Sequence, residues 1–218
     1  MFVTNGIPSD FLCNQSTQCV YAGIDIQEIT VSVPHFGILK VGQDPISHES
    51  SPPTIIHGRH SQILKSVLSE YGVCVDVVED IKNVDEASIK KLLWVSIMWL
   101  LCHDDIISGP LTVTEVHERR TSDVEDLVSE LIPPANLILA KYHNDSQLDS
   151  TLSIGSVKEV IEYMEAYSYS MPNAIPNKLL AIDEFSQRNG CLLSIEGSPA
   201  QPLHTHFVQR VVGNIPKH

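Results

Sequence analysis

Apolar residues fall into two regimes along the chain. Up to about residue 80 they come in short β-branched runs, and beyond it they recur at helical spacing. Phe2–Thr4 predicts a strand end, turned by the dipeptide Asn5-Gly6. ITVSVPHFGILKV, Ile29–Val41, predicts a bent or paired strand because Pro34 and Gly37 interrupt it. After a polar loop to Pro53, TIIHG (Thr54–Gly58) is a short strand. Ile63, Leu64, Val67, Leu68 and Tyr71 then mark one face of a helix that Gly72 ends. Val73–Val78 is the next strand.

In the second regime Asn83 with Glu86 has the form of a capping box, opening the helix that holds SIKKLLWVSIMWLLCHDD, Ser88–Asp105. From Leu92 to Cys102 its one conventional polar side chain is Ser96. A helix apolar on every side must be wrapped by others, so Trp94, Ile97, Met98 and Leu101 are expected in the core. Thr112 with Glu115 starts a further helix, expected to stop at Pro133-Pro134. Ser156 with Glu159 caps another. NKLLAIDEFSQRNG gives one with Leu179, Leu180, Ile182 and Phe185 inward and Gly190 at its end, and a last one is expected from His204 to Val212. The acidic loop His143–Ser150 reads as a solvated connection. The organisation is a partial α/β domain, residues 1–80, followed by an all-α domain, residues 81–218.

Composition narrows the function classes. The chain has 218 residues, enough for a sizeable core, and a net charge of −13 without a basic cluster, which argues against nucleic acid as a partner. The run Leu92–Cys102 is too short for a bilayer span, which takes about 20 apolar residues, so a soluble protein is expected and no membrane partner. Cys74 and Cys102 lie in apolar runs, as reduced core thiols of an intracellular protein do. HGRH (His57–His60) and HTH (His204–His206) lack companion ligands at metal-site spacing, so they read as surface or loop histidines and no metal is expected. No two glycines are spaced as GxG, and neither a Walker motif nor GxSxG occurs.

Several stretches in order resemble the ketopantoate reductase family. They are FVTNGI with Asn5, PHFGILKVG or TIIHG for a His-Gly strand, KKLLWVSIMWLL with Lys91, and YSYSMPNAIPNKLLAIDEF with Ser170. The wording of KLLWVSIMWLLCH and SYSMPNAIPNK is most similar to that of uncharacterised plant and algal members. The resemblance implies the remnant of a Rossmann domain and a ketopantoate-reductase-like helical C-terminal domain. It also implies an NADPH-dependent reductase of a 2-oxo acid (2-dehydropantoate to pantoate in the family), in cytoplasm or plastid. Lys91 would then be catalytic, with Asn5 and Ser170 binding substrate. The first nucleotide-binding βαβ unit, with its glycines, would precede Met1, so the reductase is expected to be incomplete here and tight NADPH binding is not expected. Val95 stands where the family has asparagine, and Ala181 where it has glutamate, which makes the implied groove more apolar.

The chemistry at Lys91 is simple. Ketone reduction builds alkoxide charge, which a nearby ammonium stabilises and protonates. In a helix Lys91 shares a face with Ser88, Val95, Met98 and Cys102, and Lys90 shares one with Trp94, Ile97 and Leu101. Lys91 is therefore expected to face the groove between the two parts, and Lys90 to escape outward. The alternative is that both lysines snorkel to water from packed stems. Ser170 reads equally as a helix-end hydroxyl bonded to backbone, and Asn5-Gly6 as a plain turn. The rival function is a non-catalytic helical interaction or dimerisation protein, and a homodimer stays open.

Overall fold

A computed structural model describes residues 31–33, 54–70, 73–104, 109–142 and 153–213. Among them, three strands form one small sheet in the order β1 (Val31–Val33), β2 (Thr54–His57), β3 (Val75–Val77). β1 runs antiparallel to β2, with Ser32 opposite Ile56, and β3 runs parallel to it, with Ile55 opposite Asp76. Parallel neighbours need a crossover, and helix α1 (Ser61–Glu70) supplies it. The helix forms where its spacing predicts it, but its apolar face is only partly covered, with Leu64 and Leu68 half-buried. Ile63 is 65% exposed, Val67 is exposed too, and Ser61 is the one buried residue of this helix. Helical period located the helix but not which side is covered. Tyr71, Gly72, Phe2–Thr4 and the loop 143–150 lie outside the described residues.

Helix α2 (Ile81–His103), 23 residues and about 35 Å long, is the axis of the molecule. Its cap is Asp80, whose carboxylate accepts from Lys82 N at 2.9 Å. The expected Asn83/Glu86 cap is therefore one turn too late. The β-ladder runs to Val78, whose N–H donates to Ile56 O, so the chain turns into the helix at once. Val84 and Ala87 pack on Ile55, Val78 and Ile81, under the sheet. From Ile89 onward the helix is enclosed by other helices, and Trp94, Ile97, Met98 and Leu101 are buried as the all-round apolar pattern requires.

The surrounding helices are α3 (Val113–Arg119), α4 (Thr121–Tyr142), α5 (Val157–Tyr169), α6 (Lys178–Asp183), α7 (Asn189–Ser194) and α8 (Pro202–Val212). The Thr112/Glu115 and Ser156/Glu159 capping boxes both form. Two expectations for this region are corrected. The helix begun at Thr112 breaks at Arg120, whose guanidinium binds the buried Asp104 carboxylate at 2.9 Å, Asp123 at 2.8 Å and the Leu101 carbonyl at 3.2 Å. The chain then runs helically through Pro133-Pro134 to Tyr142. The prolines remove two backbone donors, but Leu127, Leu131, Ala135, Ile138 and Leu139 stay buried in the helical core. That packing outweighs the lost bonds.

The segment NKLLAIDEFSQRNG is not one helix. It divides into α6, a 3-10 turn at Phe185–Gln187 and the start of α7. Phe185 is buried as expected, but Leu179 is 73% exposed and Ile182 is exposed; the Leu180 side chain lies outside the described set. Gly190 is inside α7 rather than at a helix end. A Cβ there would come within 2.8 Å of the Phe185 carbonyl oxygen, so the glycine lets turn and helix touch. At α8, Leu203 and His204 N–H groups donate to the Glu130 carboxylate at 3.0 and 2.7 Å, a cap supplied from another helix.

Candidate functional site

Lys91 and Lys90 leave α2 in different directions. Lys91 is 8% exposed, and Lys90 is half-buried. Burial, and then the charge of Arg188, lower the Lys91 ammonium from 10.5 to about 8. Lys90 sends its charge the other way, to Glu159 in the first turn of α5. At pH 7 Lys91 is still about ten-to-one protonated, so it remains a proton donor while its proton is easier to give up.

Arg188 was not among the residues singled out in the sequence, where it looks like one more charge near the end of an expected helix. It stands between the 3-10 turn and α7, its N–H donating to Phe185 O at 3.1 Å and its carbonyl accepting from Leu192 N. Its guanidinium, 17% exposed, pairs with Glu184. Next in the chain, Asn189 is fully buried against His204. The Arg188 charge thus bears on Lys91 as a lesser effect beside burial. Val95 is partly buried and Ala181 is buried, both as part of the helical core.

Ser170 is the C-cap of α5. It is buried, and its Oγ donates to Tyr167 O at 2.6 Å. That is the backbone-bonded hydroxyl that one reading of the sequence anticipated. Asn5 lies outside the described residues.

A buried polar chain escaped the sequence reading altogether. Trp94 Nε1 donates to Ser168 Oγ at 2.8 Å, and the Ser168 hydroxyl lies 2.9 Å from His117 Nε2. Burial lowers the His117 pKa, against a hydrogen bond to the Met164 carbonyl. The neutral ring therefore takes the serine proton at Nε2. Serine and histidine in this relation can make a nucleophile, but Ser168 is fully buried and its lone pair is held by the indole. Its role is to seat Trp94, which meets Tyr167 edge to face at 4.3 Å between ring centroids.

The histidine motifs also resolve. Among the described residues no group of three His, Cys, Asp or Glu side chains is placed to hold a metal. His57 Nδ1 is 3.0 Å from the Val78 carbonyl, which accepts its proton, and His60 is exposed. The two histidines of HTH, two apart on α8, face opposite ways. His206 is exposed, whereas His204 is fully buried, which corrects its reading as a surface residue. Burial brings His204 down from 6.5 to about 4, so its ring is neutral. Gln201 Nε2 donates to Leu192 O at 2.7 Å, which turns Oε1 to His204 Nδ1 at 2.9 Å. Nε2 faces the Asn189 amide at 2.8 Å, on its Oδ1 side. A neutral ring can only accept there, so the amide turned over donates from Nδ2, which otherwise has no partner.

Cys74 is exposed rather than a core thiol; Cys102 is buried, and desolvation pushes its thiol up to about 12. No helix among the described residues is long and apolar enough to cross a membrane. No protein-family model, curated protein or solved structure matches the chain.

Proposed function

We propose that the chain carries the substrate-side part of a 2-oxo acid reductase, similar to the ketopantoate reductases, with Lys91 as its acid. The observation that carries this reading is a lysine held 8% exposed in the middle of the central helix, its ammonium lowered to about 8. A surface lysine gains nothing from such a position, whereas a carbonyl acid works best with a pKa near the working pH. Placed at the oxo oxygen, Lys91 stabilises the negative charge that develops there and then hands over a proton. Ser170 is bonded to its own helix end and is given no part in the chemistry.

The residues present do not fit a dinucleotide. Of the two described turns from a parallel strand into a helix, His57 to Ser61 has Gly58 as its single glycine, with Arg59 and His60 beside it, and Val77 to Ile81 has none. A pyrophosphate needs close backbone approach over a glycine-rich turn. No step is therefore assigned to NADPH on this chain. Calorimetric titration with NADPH is expected to give binding weaker than micromolar.

The reductase reading is tested by supplying NADPH at high concentration with 2-dehydropantoate or 2-oxoisovalerate and following NADPH oxidation. Slow turnover that Lys91→Met abolishes is the expected result. Turnover that survives the substitution, or none with any 2-oxo acid, overturns it.

A second reading, as an interaction protein, draws on the outward apolar residues Ile63 and Val67 of α1 and Leu179 and Ile182 of α6. Sedimentation of the chain alone tests it: a concentration-dependent dimer lost on Leu179→Ser supports it, and a monomer at all concentrations removes self-association.

A further inference from the structure

Four of the six large apolar side chains exposed among the described residues, Tyr169, Ile175, Leu179 and Ile182, fall within one stretch of the chain. Residues 169–182 contain no acid and a single base, Lys178, in a chain with 27 Asp and Glu and a net charge of −13. The stretch is fixed in place. The Ala174 carbonyl accepts from Val113 N at 2.9 Å, and His103 Nε2 donates to the Pro176 carbonyl at 2.6 Å, which ties it to the start of α3 and the end of α2. Asn177 Oδ1 then accepts from Leu179 N at 2.9 Å at the start of α6, whose Ala181 is buried. At about 100° per residue, Lys178, Leu179, Ile182 and Asp183 share one arc of about 140°, and all four are exposed. Their order along the axis is cation, apolar, apolar, anion. A helix dipole favours the reverse, acids first and bases last, so these charges do not serve α6 itself. Neither Lys178 nor Asp183 has an ion-pair partner among the described residues.

We propose that the outward face of α6 is a homodimer contact, in which two copies of the chain meet about a two-fold axis with their α6 helices antiparallel. The inference rests on the interaction reading and is independent of the reductase one. An antiparallel pair sets Lys178 against the partner's Asp183 and Leu179 against the partner's Ile182, and each contact occurs twice, as an isologous interface requires. A parallel pair would oppose like charges, so the order of residues on this face selects one orientation. The face complements itself, and that is why a second copy is its occupant. A partner of other composition has no need of a cation and an anion at opposite ends of one apolar pair. Two copies at −13 each repel over the rest of their surfaces, and the acid-free stretch leading into α6 is where they can approach. The same net charge disfavours an anionic membrane as the occupant. The four apolar side chains expose on the order of 400 Å² per copy, about half of one side of a standard interface, so the dimer is weak. The hydrogen bonds that already fix the stretch keep the ordering cost of association low.

The experiment is sedimentation equilibrium of the whole chain from about 5 μM to about 1 mM, a range that covers weak association. Physiological ionic strength suits it, because a Debye length of about 8 Å screens net charge more than pairs in contact. Wild type is expected to dimerise. Lys178→Asp makes the α6 face wholly acidic and Asp183→Lys makes it wholly basic, and each should weaken its own dimer at least about fivefold. Net charge alone would have Asp183→Lys strengthen it. The double variant reverses both pairs and should recover wild-type affinity within about threefold. An equimolar mixture of the two single variants should associate more tightly than either alone, since an acidic face then meets a basic one. Both substitutions lie on exposed side chains and suit the α6 dipole, so the fold survives them. A dimer that the single variants leave unchanged, or a mixture no tighter than its components, overturns the α6 contact and leaves the interaction reading standing on another surface. Wild type that stays monomeric throughout overturns the contact and removes self-association with it.

Discussion

Replacing Lys91 by methionine should make the protein more stable. The ammonium is at about 8 in the folded chain against 10.5 when solvated, and desolvation is the larger cause. The unfolded state therefore binds more protons between these values, and stability rises with pH across that window. Below pH 8 the full penalty is present; the gap from 10.5 to about 8 corresponds to about 3 kcal/mol. Methionine has similar length and no charge, so Lys91→Met removes the penalty while filling the same space. At pH 7 the variant should gain up to about 3 kcal/mol, or about 2–4 °C in Tm for each kcal/mol at this chain length. The advantage should shrink as pH climbs from 8 toward 10.5 and vanish above it. Tyr163 and Tyr167 also titrate at high pH, with burial raising both, but they are common to both proteins and cancel in the difference. Urea melts of both proteins at pH 7, 8, 9 and 10 measure the gap. A variant less stable than wild type at pH 7, with a gap that does not move with pH, would refute the reasoning and return Lys91 to a snorkelling lysine. A stabilising loss of a buried cation is what a functional group predicts, since function is often kept at a cost in stability.

Three further outcomes follow from the core. Trp94→Phe and Ser168→Ala should each cost about 1–3 kcal/mol by leaving buried partners unmade, but the pair together should cost less than their sum, by about 1 kcal/mol or more in a double-mutant cycle; strict additivity would deny the hydrogen bond its role. Gly190→Ala should destabilise by about 1–3 kcal/mol, because the Phe185 carbonyl cannot retreat from the new methyl; an unchanged denaturant midpoint would show that the corner is loose. His204 has a depressed pKa, so its neutral form loses stability as pH falls from 6.5 to about 4, by up to about 3 kcal/mol. Asp85, raised to about 7 chiefly by burial and then by Asp80 and Glu86, works in the opposite direction. The clean measurement is therefore the difference between wild type and His204→Gln, which should narrow steadily on acidification; a constant difference would exclude a buried neutral ring.

What the sequence by itself determined was whatever depends on neighbours a few residues apart. The Thr112/Glu115 and Ser156/Glu159 capping boxes close within one turn, so three residues of spacing suffice to place both helix starts. The burial of Trp94, Ile97, Met98 and Leu101 was legible because a helix with no polar face has no other stable home. Lys91 too was marked by its sequence surroundings. The tertiary structure decided everything that turns on a distant partner. Arg120 breaks a helix because Asp104 waits at the end of α2, and Pro133-Pro134 stays helical because the core holds the residues on either side. Thr112 could be read as a cap, but Asn83 could not be ruled out as one without knowing that β3 delivers the chain to Asp80. Ile63 and Leu179 carry the right period for a buried face, yet period says nothing about whether a second surface is there to cover it. Above all, the burial that lowers the Lys91 ammonium is made by elements far apart in the chain. Charge, unlike helical period, acquires its meaning only from what the fold sets beside it, because its energy depends on distance and burial rather than on position in the sequence.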